Sequence, residues 1–181
     1  AGIADFLTDC TPRDPTFVRA RARIRDVEKA PAFNLPDQHG KQHTLAQYHG
    51  GWLVLYFYPK DDTPGCTKEA CNFRDASSGL GKLGATVIGV SADDVDSHGK
   101  FATKHSLNFP LLADAEASVA RAYGAYGTKN FYGKVSEGVL RQTFLIDPNG
   151  EIVKTWKKVS VDDHATEVET ALKAAFEAGN A

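Results

Sequence analysis

The sequence predicts an α/β fold in which a mixed central sheet is flanked by helices and preceded by an N-terminal β-hairpin. Three observations carry this prediction. Strand-like and helix-like stretches alternate from about Phe33 onward. Two apolar runs, Trp52–Tyr58 and Ala85–Ser91, show no polar alternation, as expected of strands covered on both faces. One hairpin signal opens the series and another closes it.

In chain order, Phe33–Leu35 and His43–Leu45 flank Asp37-Gln38-His39-Gly40, which reads as a turn. The Trp52–Tyr58 strand stops at Pro59. Thr63-Pro64 then supplies a hydroxyl N-cap with proline at the first helical position, and the helix is expected to reach Ala76. The second buried strand, Ala85–Ser91, precedes a helix-compatible stretch from Asp94 to His105. A short Pro110–Leu112 strand, a helix near Glu116–Tyr123 and a glycine-rich loop over Gly124–Gly138 follow. Asp147-Pro148-Asn149-Gly150 joins Leu140–Ile146 to Ile152–Trp156 as a hairpin. Over Asp162–Phe176, Val168, Leu172 and Phe176 form a helical stripe that should face the sheet.

A chain of 181 residues, 42% of them hydrophobic, is enough for one buried core. With 21 basic against 23 acidic side chains the net charge is -2, so no global field selects nucleic acid or an anionic membrane as partner. A small molecule or another protein is expected instead. No apolar run approaches the roughly 20 residues of a bilayer span. Three cysteines are too few for a disulfide-stapled scaffold, and the odd number fits thiols that react. The expected compartment is therefore reducing, the cytoplasm. Residues 1–26 read as an N-terminal extension and residues 27–181 as the folded unit. The extension leaves a processed, exported or organellar form open, although Asp5, Asp9 and Asp14 count against a transit signal. Within it, Val18–Ile24 alternates with arginine as an exposed strand would, and Cys10 reads as a surface thiol, with an intermolecular disulfide as the alternative.

The stretch from Pro59 to Cys71 lies where a buried strand hands over to a helix, the usual place for chemistry in an α/β sheet. If Thr63 caps that helix, Cys66 is its third residue. There it lies among backbone N–H groups without intrahelical partners, at the positive end of the dipole. Such surroundings favour the thiolate, which is the nucleophilic form. The bland alternative, a buried core thiol, fits poorly beside Thr-Pro-Gly, whereas for Cys71 it stays open. A cation from elsewhere would complete the site, and Arg141, ahead of Gln142-Thr143-Phe144, is the candidate, with a solvated charge as its alternative. Cys71 follows Cys66 by five residues, which on a helix is about 7.5 Å of rise and about 140° of rotation, or roughly 8 to 9 Å between Cα atoms. A disulfide spans at most about 7 Å, so the pair could bond only if this turn unwound. Two rival readings are a disulfide oxidoreductase, which would normally want Cys-x-x-Cys, and a redox-sensing module. His39, His43 and His49 have no cysteine at ligand spacing, and neither a metal nor an organic cofactor is called for.

These residues resemble the peroxiredoxin family, and within it the Q-type, bacterioferritin-comigratory-protein group. The signature Pro-x-x-x-Thr-x-x-Cys is present as Pro59, Thr63 and Cys66, and 65–75 resembles that group's helix. Ala30–Leu35, Val87–Ser91, Tyr132–Lys134 and Arg141–Asp147 match further on, in order, so that the resemblance covers roughly residues 27 to 177. It implies a thioredoxin-like fold and peroxide reduction with thioredoxin or a similar dithiol protein as donor. It also implies a monomer and Arg141 as the active-site arginine. A hydroperoxide substrate would meet Cys66 as nucleophile, Cys71 as resolving thiol and Thr63 with the first-turn amides as donors to the departing oxygen. Pro59 and Pro64 would wall off water, and Gly65 would let substrate near the backbone. Tyr126 stands where many relatives carry tryptophan, and residues 1–26 extend beyond the family's usual start.

Overall fold

The computed structural model describes residues 28–131 and 133–179. The expectations for Cys10 and the Val18–Ile24 strand lie outside them.

Strand β1 (Glu28–Lys29) leads into a hairpin of β2 (Asn34–Pro36) and β3 (Gln42–Thr44). The predicted turn between them is tied by His43, whose Nε2 lies 2.9 Å from the Asp37 carboxylate. A 3-10 turn (Leu45–Tyr48) follows, then β4 (Trp52–Phe57), α1 (Pro64–Lys82), β5 (Ala85–Ser91), α2 (Val95–Lys104), β6 (Leu111–Ala113) and α3 (Ser118–Ala122). The chain closes with β7 (Tyr126–Phe131), β8 (Lys134–Val139), β9 (Gln142–Ile146), β10 (Glu151–Trp156) and α4 (His164–Gly179).

Six strands form one mixed sheet in the order β1-β10-β9-β4-β5-β6. β4, β5 and β6 run parallel, while β9 is antiparallel to β4 and β10 to β9. The missing alternation in β4 is explained by its two covered faces. Val54 and Tyr56 point into a core shared with Ala70 and Phe73 of α1 and Val168 and Leu172 of α4. Leu53, Leu55 and Phe57 point into a second core with Val119 and Ala120 of α3 and Phe144 of β9. Phe176, the third residue of the predicted α4 stripe, is 41% exposed at the helix end.

Besides β1 and the 3-10 turn, which the sequence prediction lacks, two elements differ from it. α1 runs six residues past Ala76, although Ser77-Ser78-Gly79 looks like a stop. Leu80 is fully buried there, and Gly79 admits the Glu169 carboxylate of α4, so tertiary packing overrides weak local propensity. The expected loop over 124–138 contains the β7–β8 hairpin, paired from Tyr126↔Val139 to Phe131↔Lys134. Its strands are polar and interrupted by glycine, so apolar periodicity could not reveal them. Gly133 closes it at φ 81°, a conformation that glycine adopts freely.

Candidate active site

The β4-to-α1 connection is fixed from beneath by Asp61. Its Oδ1 accepts from the Tyr58 hydroxyl at 2.7 Å, and its Oδ2 lies 2.8 Å from both Ser97 Oγ and His98 Nδ1. His98 is fully buried, and its Nε2 donates to the Leu112 carbonyl at 3.1 Å. Burial raises the Asp61 pKa, but hydrogen bonds from His98 and Tyr58 outweigh it and hold the carboxyl below its usual range. The Asp61 amide in turn donates to Asp93 Oδ2 at 2.9 Å.

Thr63 occupies the N-cap position in extended backbone, as the sequence indicates, but its side chain does not cap. Its hydroxyl donates to the Lys60 carbonyl at 3.0 Å instead. The expected role as a hydrogen-bond donor toward a leaving oxygen therefore does not match this geometry, because the proton is already committed. Pro64 is exposed and Pro59 half-buried.

Cys66 is the third residue of α1, 1% exposed, and its Sγ accepts from Arg141 Nη2 at 3.2 Å. Arg141 arrives from the turn between β8 and β9, where the β9–β4 pairing holds it over the helix start. Gly65 leaves room for this approach, since a Cβ there would lie 3.2 Å from Arg141 Nη2. Nη1 of the same guanidinium pairs with Glu69 Oε2. Glu69 lies one turn beyond Cys66 and is 1% exposed. Sequence reasoning passed over it; the signal was its i+3 spacing from Cys66 on a face that must be buried. Burial pushes the Glu69 carboxyl up to about 7, against the opposing pull of Arg141. The guanidinium itself stays charged: burial lowers its pKa, but Glu69 and Cys66 more than offset that. The donated fork thus spans sulfur and carboxylate together, and hydrogen bonds from a cation favour an anionic acceptor.

Cys71 is half-buried and, like Cys66, a free thiol. α1 is unbroken from Pro64 to Lys82, so both thiols sit on one intact helix. Tyr126 is turned to another use, with Arg121 stacked 3.7 Å from its ring centre.

A further buried histidine lies next to this site. His164 Nε2 is 2.7 Å from Thr143 Oγ1, and its ring packs edge-on against Phe73 and Trp156. Burial, then the charge of Arg141, lowers its pKa to about 4. Because the folded value lies below the unfolded one near 6.5, His164 contributes stability above pH 6.5 that is lost as pH falls toward 4. His164→Gln is expected to flatten that part of the curve, by up to about 3 kcal/mol. Urea unfolding at pH 7 and pH 4.5 measures it; an unchanged slope would exclude His164 as the source.

Residues 27–155 match the AhpC/TSA family. The chain belongs to the AhpC/TSA family. It is 48% identical to peroxiredoxin Bcp of Bacillus subtilis over 146 residues, 81% of this chain and 93% of that one. A putative peroxiredoxin of Coxiella burnetii is 50% identical over 141 residues, covering 78% of this chain and 93% of the relative. Among solved structures, the bacterioferritin comigratory protein of Xanthomonas campestris, studied for alkyl peroxide reduction as a trapped intermediate/ligand complex, superposes with a TM-score of 0.75 at 44% identity. That match spans 80% of this chain and 92% of the other. These relatives place the chain in the Bcp/PrxQ group and its sheet and helices in the thioredoxin-like fold. As a member of that group it is a thiol-dependent peroxidase. No helix among the described residues is long and apolar enough to cross a membrane.

Proposed function

We propose that Cys66 is the peroxidatic thiol and Cys71 the resolving one, and that the enzyme reduces hydrogen peroxide and organic hydroperoxides at the expense of thioredoxin or a similar dithiol protein. The observation that carries this reading is the Arg141 Nη2 contact to Cys66 Sγ at 3.2 Å, at the first turn of a helix. The Cys66 thiolate attacks the terminal oxygen of ROOH: an S–O bond forms, the O–O bond breaks, and RO⁻ takes up a proton to leave as ROH. Sulfur is oxidised by two electrons and the peroxide is reduced by two, giving Cys66 sulfenic acid. Arg141 stabilises charge on sulfur and on the parting oxygens. Thr63, whose proton rests on Lys60, offers its oxygen as acceptor to the peroxide O–H, and Pro59 shields the loop without presenting an N–H. Once the first turn unwinds, the Cys71 thiolate attacks the sulfenic sulfur, forming the S–S bond as hydroxide departs and is protonated to water. Two electrons from the external dithiol then restore both thiols. The catalytic unit is residues 27–181, acting as a monomer in the cytoplasm. The likeness to the Xanthomonas protein supports the inclusion of alkyl peroxides.

The test is peroxide consumption coupled through thioredoxin and thioredoxin reductase to NADPH, for the wild type and Cys71→Ser. The variant is expected to give a single-turnover burst and then stall. If it cycled at the wild-type rate, the resolving assignment would fail and Cys10 would be examined next. Oxidation of the wild type without sustained turnover would instead support the sensor reading.

A further inference from the structure

The first two turns of α1 are bounded by two fixed points. Upstream, Asp61 is pinned by Tyr58, Ser97, His98 and the Asp93 carboxylate. Downstream, Phe73 is fully buried, and Arg74 Nη1 donates to the His105 carbonyl at 2.7 Å. Between them Pro64 and Lys68 are exposed and Cys71 and Asn72 half-buried, while Cys66, Glu69 and Ala70 are buried and would have to leave their places. If residues 63–72 are to uncoil and carry Cys66 toward Cys71, the backbone freedom nearest the upstream post belongs to Asp62.

Asp62 is held in an unusual way. Its φ is 56°, in the left-handed region that few residues with a Cβ other than aspartate and asparagine visit, and contacts from a neighbouring helix hold it there. Those contacts come from the C-terminal end of α2. Lys104 Nζ donates to both carboxylate oxygens, at 2.9 and 2.6 Å, and His105 Nε2 lies 3.1 Å from Oδ1. His105 is itself a firm post: its ring packs edge-on against Phe101, and its carbonyl holds Arg74. One helix end therefore grips both flanks of the segment that carries the two cysteines.

We propose that Asp62, clipped by Lys104 and His105, is the latch that sets the rate of unwinding and hence of Cys66–Cys71 disulfide formation. It is a positioning residue, and its role rests on the assignment of Cys71 as resolving thiol. Releasing the clip frees the backbone at Asp62, so the uncoiled form becomes more accessible, while the Arg141 contacts to Glu69 and Cys66 in the folded form are left in place. The clip is exposed, so its effect is modest and screened by salt.

Rapid quenching into dimedone and a thiol-alkylating maleimide, read by intact mass, separates the two steps: loss of the Cys66 thiol and appearance of the disulfide. Asp62→Asn retains tolerance for the left-handed region but cuts the ion pairs. It is expected to leave the first rate within about twofold and to raise the second by about two- to fivefold. Lys104→Met should do the same, whereas Lys100→Met, which cuts the exposed pair with Asp96 on the same helix, should change neither rate. Raising salt from about 0.05 to about 1 M should accelerate disulfide formation in the wild type. A smaller acceleration is expected in Asp62→Asn, where only pairs such as Lys68–Asp162 are left to screen. An unchanged disulfide rate in both clip variants, or an identical salt response in wild type and Asp62→Asn, overturns the latch. Absence of a Cys66–Cys71 disulfide in the wild type overturns the resolving assignment beneath it, and is a separate outcome.

Discussion

Cys66→Ser is expected to abolish peroxide reduction, with the first-turnover rate falling on the order of 10⁴-fold or more, as when a covalent nucleophile is removed from other enzymes. Serine is close in size to cysteine, and its hydroxyl can still accept from Arg141, so the site should stay assembled. What is lost is the polarisable sulfur that accepts the oxygen and gives up two electrons. A 1% exposed position with one atom exchanged should change stability by no more than about 1 to 2 kcal/mol. Stopped-flow peroxide consumption under single-turnover conditions, with circular dichroism to check folding, makes the measurement. A folded variant with wild-type turnover would remove Cys66 from the mechanism.

Arg141→Met should slow the peroxide step by about 10²- to 10³-fold, the usual consequence of deleting a preorganised donor to developing charge. Its effect on stability should depend on pH, through Glu69. With Arg141 present, that carboxyl already titrates at about 7, well above its unfolded value of 4.5. A folded-state pKa raised in this way means that the stability linked to Glu69 is complete below 4.5 and is lost as pH rises through the folded value. Removing the cation raises that value further. Arg141→Met should therefore be nearly as stable as wild type at pH 5.5 and weaker at pH 8, by roughly 1 to 1.5 kcal/mol. Arg141→Met with Glu69→Gln should recover most of the loss at pH 8, because no buried charge is left unpaired, yet recover none of the activity. Denaturant unfolding at the two pH values, beside stopped-flow oxidation, tests both halves. Oxidation within twofold of wild type would exclude Arg141 from the chemistry.

Much of this architecture was legible because its signals are local. The double-covered strands β4 and β5 announce themselves as unbroken apolar runs, and Thr63-Pro64 marks the helix start within one residue. The β2–β3 and β9–β10 hairpins are written in Asp-rich and Gly-rich turns. Where the elements were misjudged, local propensity was weak and distant contacts decided. Gly79 continues a helix because α4 lies against it, and β7 pairs β8 with few apolar residues to betray the register.

The same division runs through the site. Cys66 at a helix N-terminus follows from three consecutive residues, since proline, glycine and an N-cap position constrain backbone angles wherever they occur. By itself the sequence determined that Cys66 would stand in the first turn of a helix, and that Cys71 would lie beyond disulfide reach while that helix is intact. Only the tertiary structure decided that Arg141, 75 residues away, delivers one nitrogen to Cys66 and the other to Glu69. It alone decided that the Thr63 proton goes to Lys60, and that Asp62 is gripped by the end of α2. Backbone stereochemistry is set by neighbours in the chain. Which charges share a buried space is set by how the sheet brings distant strands together, and no local pattern encodes it.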